Sequence, residues 1–99
     1  MVNRPWGSYE VLCQGEGYKV KRLTILPGQR TSLQKHMFRK EYWTVANGKN
    51  KGTQVYVDQE EVHRVSNTGD EPLVLIEVQI GEALSEEDII RIEDDYGRT

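Results

Sequence analysis

The chain has 99 residues, a net charge of −3, and 36% hydrophobic against 29% charged side chains, which suits one globular domain with a modest core. The acidic balance argues against a nucleic-acid partner, and no apolar run is long enough for a membrane span or a signal-peptide core. A lone cysteine, Cys13, cannot form an intrachain disulfide, so a reducing, cytoplasmic setting is expected, with Cys13 structural and a small molecule or protein as partner.

Isolated Pro and Gly residues divide the chain into short β-rich segments. Ser8 to Leu12 reads as a first strand, and Gly15-Glu16-Gly17 as a hairpin turn. Tyr18 to Leu26 follows as a second strand, ended by the type II turn signal Pro27-Gly28. Thr31 to His36 is a third. In Glu41 to Ala46, Glu41, Trp43 and Val45 alternate and are predicted to share one face. Asn47-Gly48 opens a tight turn that Gly52 closes. Thr53 to Val57, His63 to Ser66 and Leu73 to Ile80 continue the β pattern; the last sets Val74, Ile76 and Val78 on one face and Leu73, Leu75, Glu77 and Gln79 on the other. Ser85-Glu86-Glu87-Asp88 reads as an N-cap with an acidic first turn, predicting a short helix through Ile92. Seven or eight short strands with one late helix predict an all-β barrel or jelly roll.

The residues with chemistry to offer lie between Pro27 and Asn67. Gln34 and His36 are two apart, so on a strand both leave the same face. Glu41 begins the next strand and can point to the same interior, and His63 comes from a later one. Two imidazoles, a carboxylate and an amide oxygen form a mixed N/O set suited to one divalent metal, Zn, Co, Mn, Ni or Fe. So few protein ligands would leave positions for water or substrate. The bland reading is polar residues on a solvated face. Against it, the chain has only two histidines and both fall in this pattern.

The stretch Gly28-x5-Gln34-x-His36-x4-Glu41-x6-Gly48 resembles the first motif of the cupin superfamily, with Gln34 in place of the first histidine. That substitution is similar to type II phosphomannose isomerases, whose cupin domain often follows a mannose-1-phosphate guanylyltransferase. The resemblance extends through Arg4-Pro5-Trp6-Gly7-Ser8-Tyr9, Tyr18 to Arg22, His63-Arg64-x-x-Asn67, Leu75 to Gln79 and the closing Glu93-Asp94-Asp95-Tyr96-Gly97-Arg98. It implies a single cupin domain over residues 1–99, with no guanylyltransferase domain expected ahead of Arg4. It also implies a metal-dependent aldose–ketose isomerase interconverting mannose 6-phosphate and fructose 6-phosphate. The alternative is a metal-binding cupin that binds or senses a sugar without turnover; a dioxygenase or lyase fits Gln34 and the Tyr-Gly-Arg tail less well.

Three departures qualify the match. Asp58 and Glu60 stand where the second cupin motif has proline and glycine, and Met37-Phe38 where the isomerases tend to carry further histidines. Only three residues separate Gly48 from Gly52, where cupins place a strand pair. A barrel short of a hairpin exposes strand edges, so a homodimer is expected.

The remaining site residues carry weaker expectations. Lys19 and Lys21 share parity with Leu23 and Ile25, which sets them either on the barrel lining, facing a phosphorylated hexose, or on a solvated edge. Lys19, Lys21, Arg30 and Arg98 are the candidates to hold the phosphate. Glu77 and Gln79 either orient metal ligands or are swung to solvent by a bulge. The proton-transfer base is not identified; Lys21, Glu60 and Arg98 are the candidates. Trp6 and Trp43 read as core or lip residues.

Overall fold

Turns, rather than helices, connect every regular element of this chain. The computed structural model describes residues 1–99 as eight strands: β1 (Val2–Arg4), β2 (Gly7–Gly15), β3 (Tyr18–Ile25), β4 (Leu33–Lys35), β5 (Arg39–Asn47), β6 (Gln54–Val57), β7 (Leu73–Gly81) and β8 (Ile90–Glu93). No helix is long and apolar enough to cross a membrane.

Six strands form one antiparallel sheet in the order β1-β2-β3-β7-β5-β6. β7 lies between β3 and β5, in register from Tyr18↔Ile80 to Ile25↔Leu73 on one side and with Glu41↔Gln79 and Trp43↔Glu77 on the other. The second layer is smaller. β4 pairs with β8, and two isolated bridges tie it and the residues before it to a later segment, Arg30↔Ser66 ahead of the strand and Gln34↔His63 within it. The predicted strand over His63–Ser66 is therefore two isolated bridges.

Alternation explains what each face of the large sheet does. β7 buries Leu73, Leu75, Glu77 and Gln79 and leaves Val74, Ile76 and Val78 only half-buried. The interior thus divides along β7 into an apolar and a polar half. Trp6, Tyr9, Ile25, Trp43, Val45, Val57, Val65, Leu73 and Leu75 make the apolar core. The polar half holds Lys21, His36, Arg39, Glu41, His63, Glu77 and Gln79, all buried. This is the open antiparallel barrel that the strand pattern predicts.

Two expectations need correction. The segment predicted as a C-terminal helix is irregular from Glu82 to Ile89 and then becomes β8. Pairing with β4 overrides the N-cap signal, and Ser85 uses its hydroxyl only for a local turn, accepting from the Glu87 amide at 3.1 Å. Cys13, expected to be structural, is exposed, at an irregularity in the β2–β3 ladder.

The short β5–β6 connection is made possible by left-handed residues, Gly48 (φ 97°), Asn50 (φ 66°) and Gly52 (φ 93°). Gly81 has a different task. It lies opposite Arg39, and a Cβ there would press on the Phe38 carbonyl and sit 2.9 Å from the Arg39 Cα. Gly81→Ala is expected to cost about 2 kcal/mol or more, because backbone must shift. Gly52→Ala, with open space but a left-handed φ, should cost about 1 kcal/mol. Urea unfolding of the two variants checks this order; equal losses would contradict it.

Candidate metal centre

Alternation on β5 turns Arg39, Glu41 and Trp43 toward the interior, where all three are buried. Glu41 is almost wholly buried, so its carboxylate must be satisfied by protein donors. Arg39 Nε donates to Oε2 at 2.9 Å and Trp43 Nε1 to Oε1 at 3.1 Å. The two imidazoles approach the same carboxylate: His36 Nε2 lies 3.4 Å from Oε2 and His63 Nε2 3.6 Å from Oε1. One ligand atom from each of His36, Glu41 and His63 falls within 4.8 Å of the others.

The second nitrogen of each ring decides which lone pairs are free. Nδ1 of His36 donates to the Asp88 carbonyl at 2.5 Å, and Nδ1 of His63 to the Glu61 carbonyl at 2.9 Å. In its neutral form a ring held this way presents Nε2 as a lone pair toward Glu41. Burial holds the His36 pKa below its ordinary value, with Arg39 and His63 acting in the same direction against Glu41. Arg39 donates to His36 Nε2 at 3.2 Å, whereas His63 Nε2 is buried with no partner at all. An unpartnered acceptor facing a carboxylate and a second neutral imidazole is what a divalent metal would satisfy. The residues present fit such an ion.

The other predicted residues distribute as follows. Gln34 faces the same cavity; its backbone exchanges both hydrogen bonds with His63, and its Oε1 accepts from the Ser32 hydroxyl at 2.9 Å. Directly opposed residues project to one face, which is why Gln34 and His63 meet. Lys21, Glu77 and Arg98 also line the cavity. Gln79 is fully buried and donates to Glu77 at 2.6 Å. Lys19 stands beside Lys21, with Nζ donating to the Leu84 carbonyl at 2.7 Å. Arg30 is exposed and forms a two-bond pair with Asp95 at 2.7 and 2.8 Å. Glu60 lies in the turn before His63, exposed, its amide donating to the His36 carbonyl.

The sequence reading missed Arg39 and the 82–89 segment. Arg39 shares parity with Glu41 and Trp43, so the signal was present. The Asp88 carbonyl, being backbone, carries no sequence signal. On the far side of the cavity Arg4, Arg91 and Arg98 make a cationic flank. Arg98 pairs with Asp94, which holds that carboxyl down to about 2.

A family model of the mannose-6-phosphate isomerase C-terminal domain matches residues 1–94. The chain belongs to that family. It is 44% identical over 110 residues to the xanthan biosynthesis protein XanB of Xanthomonas campestris pv. campestris, covering 99% of this chain and 24% of that protein. It is 40% identical over 109 residues to a mannose-1-phosphate guanylyltransferase, ManC, of Salmonella typhimurium, covering 98% of the chain and 23% of the relative. The chain thus spans about a quarter of the length of these relatives. Among solved structures, a Klebsiella pneumoniae protein with a double-stranded β-helix domain superposes with a TM-score of 0.73 at 19% identity, covering 94% of this chain and 91% of that one. The fold is that of the cupins.

Burial, then the nearby Glu41 charge, raises the Glu77 carboxyl to about 8. The folded protein therefore takes up this proton more readily than the unfolded chain, whose carboxyl titrates near its ordinary 4.5. Stability should fall as pH rises between these values. Glu77→Gln is expected to flatten that fall. Unfolding free energies at pH 5 and pH 8 measure it, and parallel pH dependence in the two proteins would contradict the assignment.

Proposed function

We propose that this chain is a metal-dependent sugar-phosphate isomerase interconverting mannose 6-phosphate and fructose 6-phosphate. The observation that carries the reading is the convergence of His36, Glu41 and His63, of which His36 and Glu41 line, together with Gln34, a cavity bordered by Lys21, Arg39, Arg91 and Arg98. Membership of the mannose-6-phosphate isomerase C-terminal family supports the substrate.

In this reading His36, Glu41, His63 and Gln34 hold one divalent ion. When bound, that ion supplies Lewis-acid stabilisation of negative charge on the sugar's O1 and O2. The chain's own residues do the rest. His36 and His63 are fixed as lone-pair donors by the carbonyls of Asp88 and Glu61. Lys21, Arg39 and the arginine flank offer positive charge to a phosphate. Proton transfer between C1 and C2 needs a group that exchanges its proton near neutrality. Of the earlier candidates, Lys21 is tied to Glu86, Arg98 to Asp94, and Glu60 lies in an exposed turn outside the cavity lining. Glu77, raised to about 8, faces the cavity and is added to the candidates here.

A binding or sensory cupin without turnover is the second reading. It draws on the three-residue link between Gly48 and Gly52 and on a relative alignment of 110 positions against a 99-residue chain. A coupled isomerase assay on mannose 6-phosphate separates the two. Metal-stripped protein should be inactive, and reloading with Zn, Co, Mn, Ni or Fe(II) in turn should restore activity. His36→Ala should lower turnover by about a thousandfold or more, the scale of losing an electrostatic stabiliser. One metal per chain with no turnover on any hexose phosphate would favour the second reading.

A homodimer completes the proposal. β6 is an edge strand of the large sheet, and Val55, Tyr56 and the neighbouring Tyr42 are exposed on it. A second copy pairing there covers both the backbone edge and these side chains. Light scattering is expected to give a dimer that Val55→Lys shifts to monomer; a monomeric parent protein would rule it out.

A further inference from the structure

Lys21 is 4% exposed, in the polar half of the interior, and a buried ammonium requires a counter-charge. The nearest carboxylate in the sheet is that of Glu77, directly opposite Lys21 in the β3–β7 ladder. It does not serve. Glu77 accepts from Gln79 at 2.6 Å and makes no ion pair with Lys21. The counter-charge comes from outside the barrel. Glu86, in the irregular 82–89 segment, reaches in to place Oε2 2.5 Å from Lys21 Nζ and 3.6 Å from Lys19 Nζ. Burial alone would raise the Glu86 carboxyl, but the hydrogen bond and charge of Lys21, with Arg39 and Lys19 behind it, hold it below its ordinary value.

The same segment is attached by side chains and isolated carbonyls rather than by a ladder. Arg39 donates to the Ser85 carbonyl at 3.3 Å, Lys19 to the Leu84 carbonyl, and the amides of Met37 and Phe38 to the Asp88 carboxylate at 2.9 and 3.1 Å. Beneath this cover the cavity has a volume of about 80 Å³. Ligand pockets of drug-like size run upward from about 300 Å³. With Glu86 and Ile89 of this segment in its lining, the cavity is therefore much smaller than a hexose phosphate would fill.

From these observations we infer that Lys19 and Lys21 form an anion subsite for a phosphate monoester, that the Glu86 carboxylate occupies it in the closed protein, and that residues 82–87 swing away when the phosphate takes its place, while the Asp88 carbonyl stays on His36 Nδ1. This rests on the sugar-phosphate reading above for the identity of the ligand. The exchange is a substitution of one anion for another on the same two ammonium groups, so the buried positive charge is never left bare. A dianionic phosphate gains over the single carboxylate charge, and release of the segment opens the cavity in the same step.

Inorganic phosphate, titrated into the intact chain by calorimetry, tests this without any turnover. Glu86→Gln removes the competing charge from an exposed segment and should tighten phosphate binding by about fivefold or more, the lower end of a coupling between linked sites. Adding Lys21→Met to Glu86→Gln should abolish that gain. If the Lys21 variant does not fold, Lys19→Gln combined with Glu86→Gln should reduce it instead. Hydrogen exchange should show the Glu87 and Asp88 amides, which donate to Ser85, losing protection on phosphate addition to the parent protein. Unchanged or weaker phosphate binding by Glu86→Gln would overturn the inference, as would affinity lost only on Arg98→Gln, which would put the phosphate on the arginine flank. Failure of the isomerase reading looks different: the phosphate pattern would hold while mannose 6-phosphate is not turned over.

Discussion

Glu41 is the residue on which the rest of this structure depends. A carboxylate 2% exposed needs protein donors in place of its water, and Arg39 and Trp43 supply them, one to each oxygen, while the Nε2 atoms of His36 and His63 come to within 3.4 and 3.6 Å of the same two oxygens. Arg39 and Trp43 arrive on the same face of β5, while His36 and His63 arrive from the segments that make the second layer. The positions of both layers are therefore coupled through a single side chain. A well-connected polar cluster of this kind fixes register more tightly than apolar packing, because each member that slips leaves a buried partner unsatisfied.

The chain sets this cluster against a small core of nine apolar residues. β7 runs through both halves, presenting Leu73 and Leu75 to the apolar side and Glu77 and Gln79 to the polar side along one face. A strand that changes character halfway along is a compromise between stability and chemistry. The apolar end anchors it, and the polar end can then carry groups that would not stay buried by themselves. The second layer, by contrast, is thin: a three-residue strand, a four-residue strand and two bridges.

Much of this was legible in the sequence because period-2 alternation reports directly which side chains share a face. Glu41 with Trp43, Lys21 with Ile25, and Leu75 with Glu77 all emerge on the faces that their parity assigns. The His36–Glu41–His63 cluster followed from the same rule plus the order of the strands. What failed was the segment after Glu82. Ser85 and its acidic followers carry local helix chemistry, yet the pairing of Ile90–Glu93 with β4 is decided by residues more than fifty positions away. Non-local pairing of that sort leaves no mark on a short window. The same is true of Arg39, whose parity was readable but whose partners, an imidazole lone pair and a loop carbonyl, were not.

The pairing of β4 with β8 also bears on the order in which the molecule is built. Gln34 sits in a strand whose only ladder partner is Ile90–Glu93, and His36 is oriented by the carbonyl of Asp88. These contacts close long loops, whereas the β2–β3 hairpin closes a short one. Local hairpins form early and distant pairings late. The β5–β6 hairpin, which carries Glu41, likewise closes a short loop, whereas the stretch around Gln34 and His36 waits for a partner more than fifty residues on. During synthesis, the imidazole of His36 acquires its final orientation only after Asp88 has left the ribosome and folded back over it.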